Sequence, residues 1–339
     1  MPGEKITSLE VARLAGVSQS AVSRVFTPGA SASNKTIEKV RKAASDLGYR
    51  PNVLARAMVS GRSRIIGLIV AYLDNQFYPE ALEKLSSALQ EQGYHVLVFM
   101  AEQTASNVDA VIDEILDYQV EGIIAASVAL STVLSERCRA AAVPMVLFNR
   151  SQDDPTMSAV TSDNIAGGQK AARFLLEGGH EKIGYIAGWE GASTQRDREA
   201  GFIAALTQAG VSLHCREVGN FTMEDAAEAT RQMFASDPPD GVFVANDHMA
   251  LAVMDTVRFE LGLDVPGQIS VVGYDDVPAA SWPAYNLTTV RQPANRMVAE
   301  TVSILMNQIE NSSDDPRRIA IDGPLILRGS ARIPEGWSE

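Results

Sequence analysis

The sequence predicts an α/β protein in which a small N-terminal helix-turn-helix domain precedes two doubly wound α/β subdomains in tandem. Three observations predict this. Short capped helices fill the first 50 residues, apolar strand-like runs alternate with helix-length segments from residue 65 onward, and the net charge changes sign between the two parts. A chain of 339 residues that is 46% hydrophobic and 21% charged has an ordinary globular composition. Its length suits two or three domains.

The head is built from local signals. Thr7, with Glu10 three residues later, spells a capping box that opens a first helix, for which Leu9, Ala12 and Leu14 offer an apolar side. Gly16 ends it, and Ser18 caps the next, "QSAVSRVF". At about 100° per residue, Gln19, Ser20, Ser23 and Arg24 share one half of that helix, and Ala21, Val22, Val25 and Phe26 share the other. Ser33 caps a third helix whose Ile37, Val40, Ala44 and Leu47 recur at helical spacing before Gly48 stops it. Two helices joined by a tight turn, with a third in support, make a helix-turn-helix domain.

The overall charge of −13 conceals a split. Residues 1–64 hold eleven Lys/Arg against four acids, and the rest of the chain holds 18 against 38. A basic head on an acidic body points to a polyanionic partner for the head alone. The segment "YRPNVLARAMVSGRSR" then forms a linker in which Pro51 opens a helix of about eight residues, too short to stand alone.

The body alternates. Apolar runs at 65–71, 95–100, 122–127 and 144–149 form one series, and runs at 182–188, 241–246 and 269–276 form a second. Such runs are expected of parallel strands buried on both faces. Ligands of doubly wound domains bind at the carboxyl ends of the strands. There the sequence collects Asp74-Asn75, Asn149-Arg150, Trp189, Asn246-Asp247 and Tyr274-Asp275-Asp276. Of the carboxylate pair Asp275-Asp276, one suits a ligand hydroxyl and the other a structural partner.

The sequence excludes several function classes. No apolar run approaches the ~18–20 residues of a membrane span. The N-terminus lacks the apolar core of a signal peptide, so a cytoplasmic protein is expected. Cys138 and Cys215 are expected to be free thiols, and the four histidines have no metal-ligand spacing. His180, in "EGGHEKIGY", reads as a turn residue before a strand. Neither a Walker A sequence nor G-x-G-x-x-G follows the first strand of the body. No catalytic residue, cofactor or metal is therefore expected. The rival to a DNA-binding regulator is a solute-binding protein of a transport system, which the body alone would fit.

The motifs "ITSLEVARLAGVSQSAVSRVF", "GYRPNVLARAM", "IGLIV", "VTSDNIAGGQKAARFLLEGGHEKIGYIAG", "FVANDHMALAVMD", "ISVVGYDDVP" and "LTTVRQP" together resemble the lac repressor (LacI/GalR) family of bacterial transcription regulators. The resemblance runs in order over almost the whole chain. It implies a helix-turn-helix domain at 1–50, a hinge helix and linker at 51–64, and a core similar to periplasmic sugar-binding proteins. Crossings near residues 163, 292 and 323 would divide that core into an N-subdomain (65–162 and 293–322) and a C-subdomain (163–292 and 323–339).

Matched motif to motif, the resemblance implies that Gln19, Ser20 and Arg24 read bases of double-stranded operator DNA in the major groove. Thr7, Ser18, Ser23, Ser33 and Lys35 would hold phosphates. Met58 stands where the family usually has a leucine that wedges into a minor-groove base step, and Ala55 and Arg56 would line the same groove. In the core, Arg198 of "REAG" matches the family's R-x-x-G, and Asn149, Asn246 and Asp275 match ligand-contacting positions. Thr194 and Phe221 match cleft positions. Asp74, Phe77 and Tyr78 lie in a loop at the cleft, and Trp282 offers a second wall. Aromatic faces beside Arg, Asn and Asp suit a polyol, so a sugar or sugar derivative is the expected effector. The residues after "PLILR" carry no leucine heptad, which predicts a homodimer rather than a tail-held tetramer.

Overall fold

The computed structural model describes residues 6–27, 31–50, 62–101, 105–126, 132–311 and 315–337. The chain separates into two compact units, 1–64 and 65–339.

In the first unit, α1 (Ser8–Ala15) begins at the capping box: the Thr7 amide donates to Glu10 Oε2 at 2.7 Å and the Glu10 amide donates to Thr7 Oγ1 at 3.4 Å. Gly16 ends it in the left-handed conformation, φ 64°. Ser18 caps α2 (Gln19–Phe26) and Ser33 caps α3 (Asn34–Leu47), each accepting a backbone amide of the first turn. The apolar centre is Val11, Ala12, Ala15, Val22, Val40, Ala43 and Ala44, with Val25, Phe26, Leu47 and Tyr49 packed on it. Leu9 and Leu14, expected on the buried side of α1, are instead 45% and 56% exposed. Val11, Ala12 and Ala15 form the inward stripe at i, i+1 and i+4, and their small volumes let α1 approach α3 closely.

The second unit holds two six-stranded sheets among its described residues. The first contains β1 (Ile65–Val70), β2 (His95–Met100), β3 (Gly122–Ala126), β4 (Met145–Phe148), β5 (Ser158–Ser162) and β11 (Arg318–Ile321), in the order β11-β5-β4-β3-β1-β2. All its pairings are parallel, and the helices α4 (Phe77–Glu91), α5 (Ala105–Asp117) and α6 (Thr132–Ala140) connect successive strands. The second contains β6 (Ile183–Ala187), β7 (Cys215–Val218), β8 (Gly241–Val244), β9 (Ser270–Asp275), β10 (Thr288–Arg291) and β12 (Leu325–Ile326), in the order β12-β10-β9-β8-β6-β7. Only β12 runs antiparallel to its neighbour there. Its helices are α7 (Asn164–Glu177), α8 (Ser193–Gln208), α9 (Met223–Met233) and α10 (Asp247–Asp255).

The chain passes from one sheet to the other three times. It leaves the first after β5, returns after β10 through α11 (Ala294–Asn311), which packs on α4, β4 and β5, and leaves again between β11 and β12. Interior strands β1, β3 and β4 are buried throughout, as continuous apolar runs should be in a covered parallel sheet. The run "HVLVFM" departs from that expectation. As β2 it forms the sheet edge, leaving Val98 44% and Met100 51% exposed.

Helices α7 and α8 touch almost backbone to backbone. A Cβ on Gly201 would lie 2.1 Å from the Ile165 carbonyl oxygen, and one on Gly168 would lie 2.1 Å from that of Arg198. This contact explains the glycine of "REAG": it seats α8 so that Arg198 reaches the carboxyl end of β9. No helix among the described residues is long and apolar enough to cross a membrane.

Candidate functional site

The head presents one polar face. Gln19, Ser20, Ser23 and Arg24 are all exposed, whereas Val22 is buried and Ala21, Val25 and Phe26 are half-buried. Gln19 Nε2 donates to Ser8 Oγ at 2.9 Å, which ties that side chain to the start of α1. Arg24 Nε donates to the Ser20 carbonyl at 3.4 Å and lies back along the helix. Thr7, Ser18 and Ser33 are the N-caps of the three helices, and Lys35 is exposed in the first turn of α3. Helix N-termini carry unpaired amides and a positive dipole end, the local chemistry that favours phosphate. Ala55, Arg56 and Met58 lie outside the described residues.

In the core, the carboxyl ends of β1, β4, β6, β8 and β9 bring polar side chains from both sheets together. Asp275 stands at the centre, 5% exposed. Its Oδ2 accepts from Asn75 Nδ2 at 3.0 Å, its Oδ1 accepts from Gln292 Nε2 at 2.7 Å, and Arg198 Nη2 lies 3.4 Å from Oδ1. Arg198 Nε donates to Asn164 Oδ1 at 2.9 Å, Nη1 donates to the Ala245 carbonyl, and the guanidinium lies 3.7 Å from the centre of the Tyr274 ring. Burial pushes the Asp275 carboxyl up, while the Arg198 charge and the Asn75 and Gln292 bonds restrain it. Asp247, also buried, is pushed up by burial and by the Asp275 charge, although Thr289 Oγ1 and the Val277 amide donate to it at 2.6 and 3.0 Å. Asp276 turns the other way, to Arg291 Nε at 2.6 Å and Arg328 Nη2 at 2.5 Å. The adjacent carboxylates therefore divide into one cleft group and one structural group.

The remaining candidates have distinct places. Asn149 is buried and its Nδ2 donates to Tyr78 Oη at 2.9 Å, while Tyr78 lies edge-on to Tyr72. Phe77 and Tyr78, expected in a loop, instead open α4, and Phe77 stacks on Phe148 within the apolar core of the first sheet. Asp74 is exposed beside buried Asn75. Thr194 is buried in the first turn of α8, and Asn246 Oδ1 caps α10 by accepting from the Met249 amide at 3.0 Å. Phe221 lies across Gly188, where a Cβ would meet the ring at 2.1 Å. Trp282 is 52% exposed and does not join this network among the described residues.

The loops that carry these groups are strained. Asn149, Asn220, Phe221, Asp275 and Asp276 are non-glycine residues with positive φ (69°, 49°, 65°, 125° and 58°). Such conformations cost about 1–3 kcal/mol each and persist where surrounding structure holds a functional geometry. Two further groups of the strand-end set, Asn75 and Arg150, belong here although no ligand role was matched to them. Asn75 reaches across to Asp275. Arg150, 5% exposed, sits 5.6 Å from the Trp189 ring and 5.8 Å from the Phe221 ring, and none of its side-chain nitrogens has a hydrogen-bond partner among the described residues. The sheets are further joined by the Ser151 amide donating to Ser193 Oγ and the Ala279 amide donating to Gln76 Oε1, both at 3.0 Å. Among the described residues no group of His, Cys, Asp or Glu side chains is placed to hold a metal ion.

Comparison with known proteins adds an independent line. Residues 7–52 match the family described as bacterial regulatory proteins, lacI family, and residues 172–331 match a periplasmic binding protein-like domain. The HTH-type transcriptional repressor PurR of Vibrio vulnificus is 30% identical over 330 residues, covering 96% of this chain and 98% of that one. A lac repressor dimer bound to operator and the anti-inducer ONPF superposes with a TM-score of 0.87 at 27% identity, over 96% of this chain and 99% of that one. A complex of the transcriptional regulator CelR with cellobiose superposes with a TM-score of 0.72 at 30% identity, over the same shares of the two chains.

Proposed function

The chain belongs to the lacI family of bacterial regulatory proteins, and from that premise we propose that it is a dimeric transcriptional repressor whose operator affinity is set by a small carbohydrate bound in the core. The observation that carries the proposal is the exposed Gln19-Ser20-Ser23-Arg24 face on a capped helix of a basic head. Two such heads, supplied by a dimer like that of the lac repressor neighbour, span the half-sites of a pseudo-palindromic operator. Gln19, Ser20 and Arg24 read base edges there. Thr7, Ser18, Ser23, Ser33 and Lys35 fix the head on phosphates. Ala55 and Arg56 line the minor groove, and Met58 wedges between base pairs.

The core divides into an N-subdomain (65–162 and 293–322) and a C-subdomain (163–292 and 323–339). The effector lies between them, contacted by Asp74, Tyr78, Asn149, Thr194, Arg198, Phe221, Asn246 and Asp275, with Phe77 supporting Tyr78 from the core and Trp282 as a second wall. The CelR neighbour, which holds cellobiose, supports a sugar. The effector acts by replacing inter-sheet bonds such as Asn75–Asp275 with bonds to itself. That exchange changes the relative orientation of the subdomains, and through residues 51–64 the presentation of the heads, so that the two sites are coupled. The protein works in the cytoplasm, where the operator is. A solute-binding protein would not need the head.

A mobility-shift assay with fragments of the source genome tests the DNA half: we expect sequence-selective, salt-sensitive retardation by the full chain. Retardation equal for all fragments would refute it. Calorimetric titration with a panel of sugars and purine bases tests the effector half, and a response confined to purines would refute the carbohydrate assignment.

A further inference from the structure

Resting on the effector site just proposed, we infer that the ligand is a small polyol bearing one anionic group, a carboxylate or a phosphate, and that Arg150 binds that group. The guanidinium is costly where it stands. Arginine cannot shed its proton in a protein, so burial leaves it charged. A buried charge is tolerated when it is paired and hydrogen-bonded, and leaving it unpaired is strongly unfavourable. Arg150 is 5% exposed, and its Nε, Nη1 and Nη2 have no partner among the described residues. The rings of Trp189 and Phe221, at 5.6 and 5.8 Å, supply cation–π attraction, which recovers only part of the lost hydration and satisfies no N–H.

The second arginine of the cluster shows what a satisfied one looks like. Arg198 donates to Asn164 and Ala245, faces Asp275 at 3.4 Å and lies over Tyr274. Its charge is internally balanced. The buried carboxylates of the cluster are already engaged: Asp275 is held by Arg198, Asn75 and Gln292, Asp276 by Arg291 and Arg328, and Asp247 by Thr289 and Val277, whereas Asp74 is exposed. Arg150 is therefore a buried guanidinium with none of its donors engaged among the described residues, and its planar fork matches a carboxylate or phosphate two bonds at a time.

The placement makes this charge a reporter of the ligand. Arg150 follows β4 of the first sheet, whereas Trp189 and Phe221 follow β6 and β7 of the second. Phe221 keeps a left-handed backbone, φ 65°, with its ring seated over Gly188. Two elements of the second sheet thus hold the fork of the first across the cleft. An anion bound there engages a group of one subdomain while it rests against aromatic faces of the other, as an effector that changes their orientation must.

The test compares acidic probes with neutral counterparts on the full chain. D-gluconate and D-glucose 6-phosphate represent the two anion types, D-glucose is their neutral relative, and inorganic phosphate represents the anion alone, all at matched ionic strength. By calorimetry and thermal melting, at least one acidic probe should bind about tenfold or more tightly than D-glucose, the size of one charge-assisted hydrogen-bonded contact. Gluconate alone would identify a carboxylate, and glucose 6-phosphate or phosphate alone a phosphoryl group. Arg150→Gln should abolish the preference. Arg150→Met, which keeps much of the volume and removes the charge, should leave the ligand-free melting temperature unchanged or raised by a few degrees.

Equal binding of acidic and neutral probes would overturn the inference. So would the failure of every acidic probe and phosphate to bind, a preference that survives in Arg150→Gln, or a ligand-free Arg150→Met that melts several degrees lower. Operator retardation by the wild-type protein, measured on the same preparation, keeps the two claims apart. Its absence would fail the regulator assignment and leave the anion preference standing.

Discussion

The head and the core use opposite strategies to expose chemistry. In the head the candidate side chains lie outside a small apolar centre and the scaffold is local: three caps, two left-handed glycines and a handful of alanines and valines. In the core the candidate side chains lie mostly inside. Asp247, Asp275, Arg150 and Arg198 are all at most 5% exposed, and they are held by residues as far apart in sequence as Asn75 and Asp275. A surface that meets a long polyanion needs reach and exposed donors. A site that must distinguish one small molecule and respond to it needs desolvated groups, whose energetics change strongly when a ligand replaces a partner.

The contrast can be broken at several points. The largest effect is expected at the buried pair: Arg198→Met leaves Asp275 without its cation, and we expect a loss of about 3–5 kcal/mol in denaturant unfolding. A loss below about 1 kcal/mol would show that the pair is not the electrostatic centre of the core. Gly201→Ala comes next. The added Cβ would press on the Ile165 carbonyl, at 2.1 Å, and overpacking of that kind costs about 1–3 kcal/mol, partly offset by better helix propensity.

The head should respond differently. Arg24→Ala should change stability by no more than about 0.5 kcal/mol, yet remove about 1–3 kcal/mol of discrimination at one operator position. Ser23→Ala should weaken all sequences alike, and competition mobility shifts against single-base operator variants distinguish the two.

A further contrast is in pH dependence. Because Asp247 has its folded pKa raised above its unfolded value, its folded form holds a proton that the unfolded chain has already released. Its contribution is therefore complete below the usual carboxylate range, about 4, and is lost as pH rises toward neutrality. Buried His180 acts in the opposite direction. Its lowered pKa, caused by burial and then by Arg332, makes stability fall as pH drops below about 6.5. Melting temperatures across pH 4–8 should show wild type minus Asp247→Asn declining with pH, and a flat difference would remove Asp247 from the account.

How much of this was legible in the sequence follows the same division. The caps at Thr7, Ser18 and Ser33 and the polar half of α2 depend on neighbours within four residues, and local patterns suffice for them. Leu9 and Leu14 show the limit: in an eight-residue helix, several stripes look apolar, and packing on α3 selects Val11, Ala12 and Ala15. Val98 and Met100 belong to a run as apolar as its neighbours, and only strand order makes it an edge.

In the core the strand ends located the cluster but not the bonding within it. Asp275 and Asp276 are chemically identical, and the left-handed turn between β9 and the following residues decides which one faces the cleft. Arg150 is collected with Asn149 at the strand end, but its role is not legible there. Nothing local distinguishes a guanidinium that finds a carboxylate from one that does not.

The central claim is that the core ligand and the operator are coupled. Its most direct test is operator affinity, measured by fluorescence anisotropy with and without the ligand selected by the calorimetric panel, together with ligand affinity with and without operator. Both affinities should change by the same factor, about 5–150-fold, because coupling free energy is reciprocal. Operator and ligand affinities that are each independent of the other partner would contradict it.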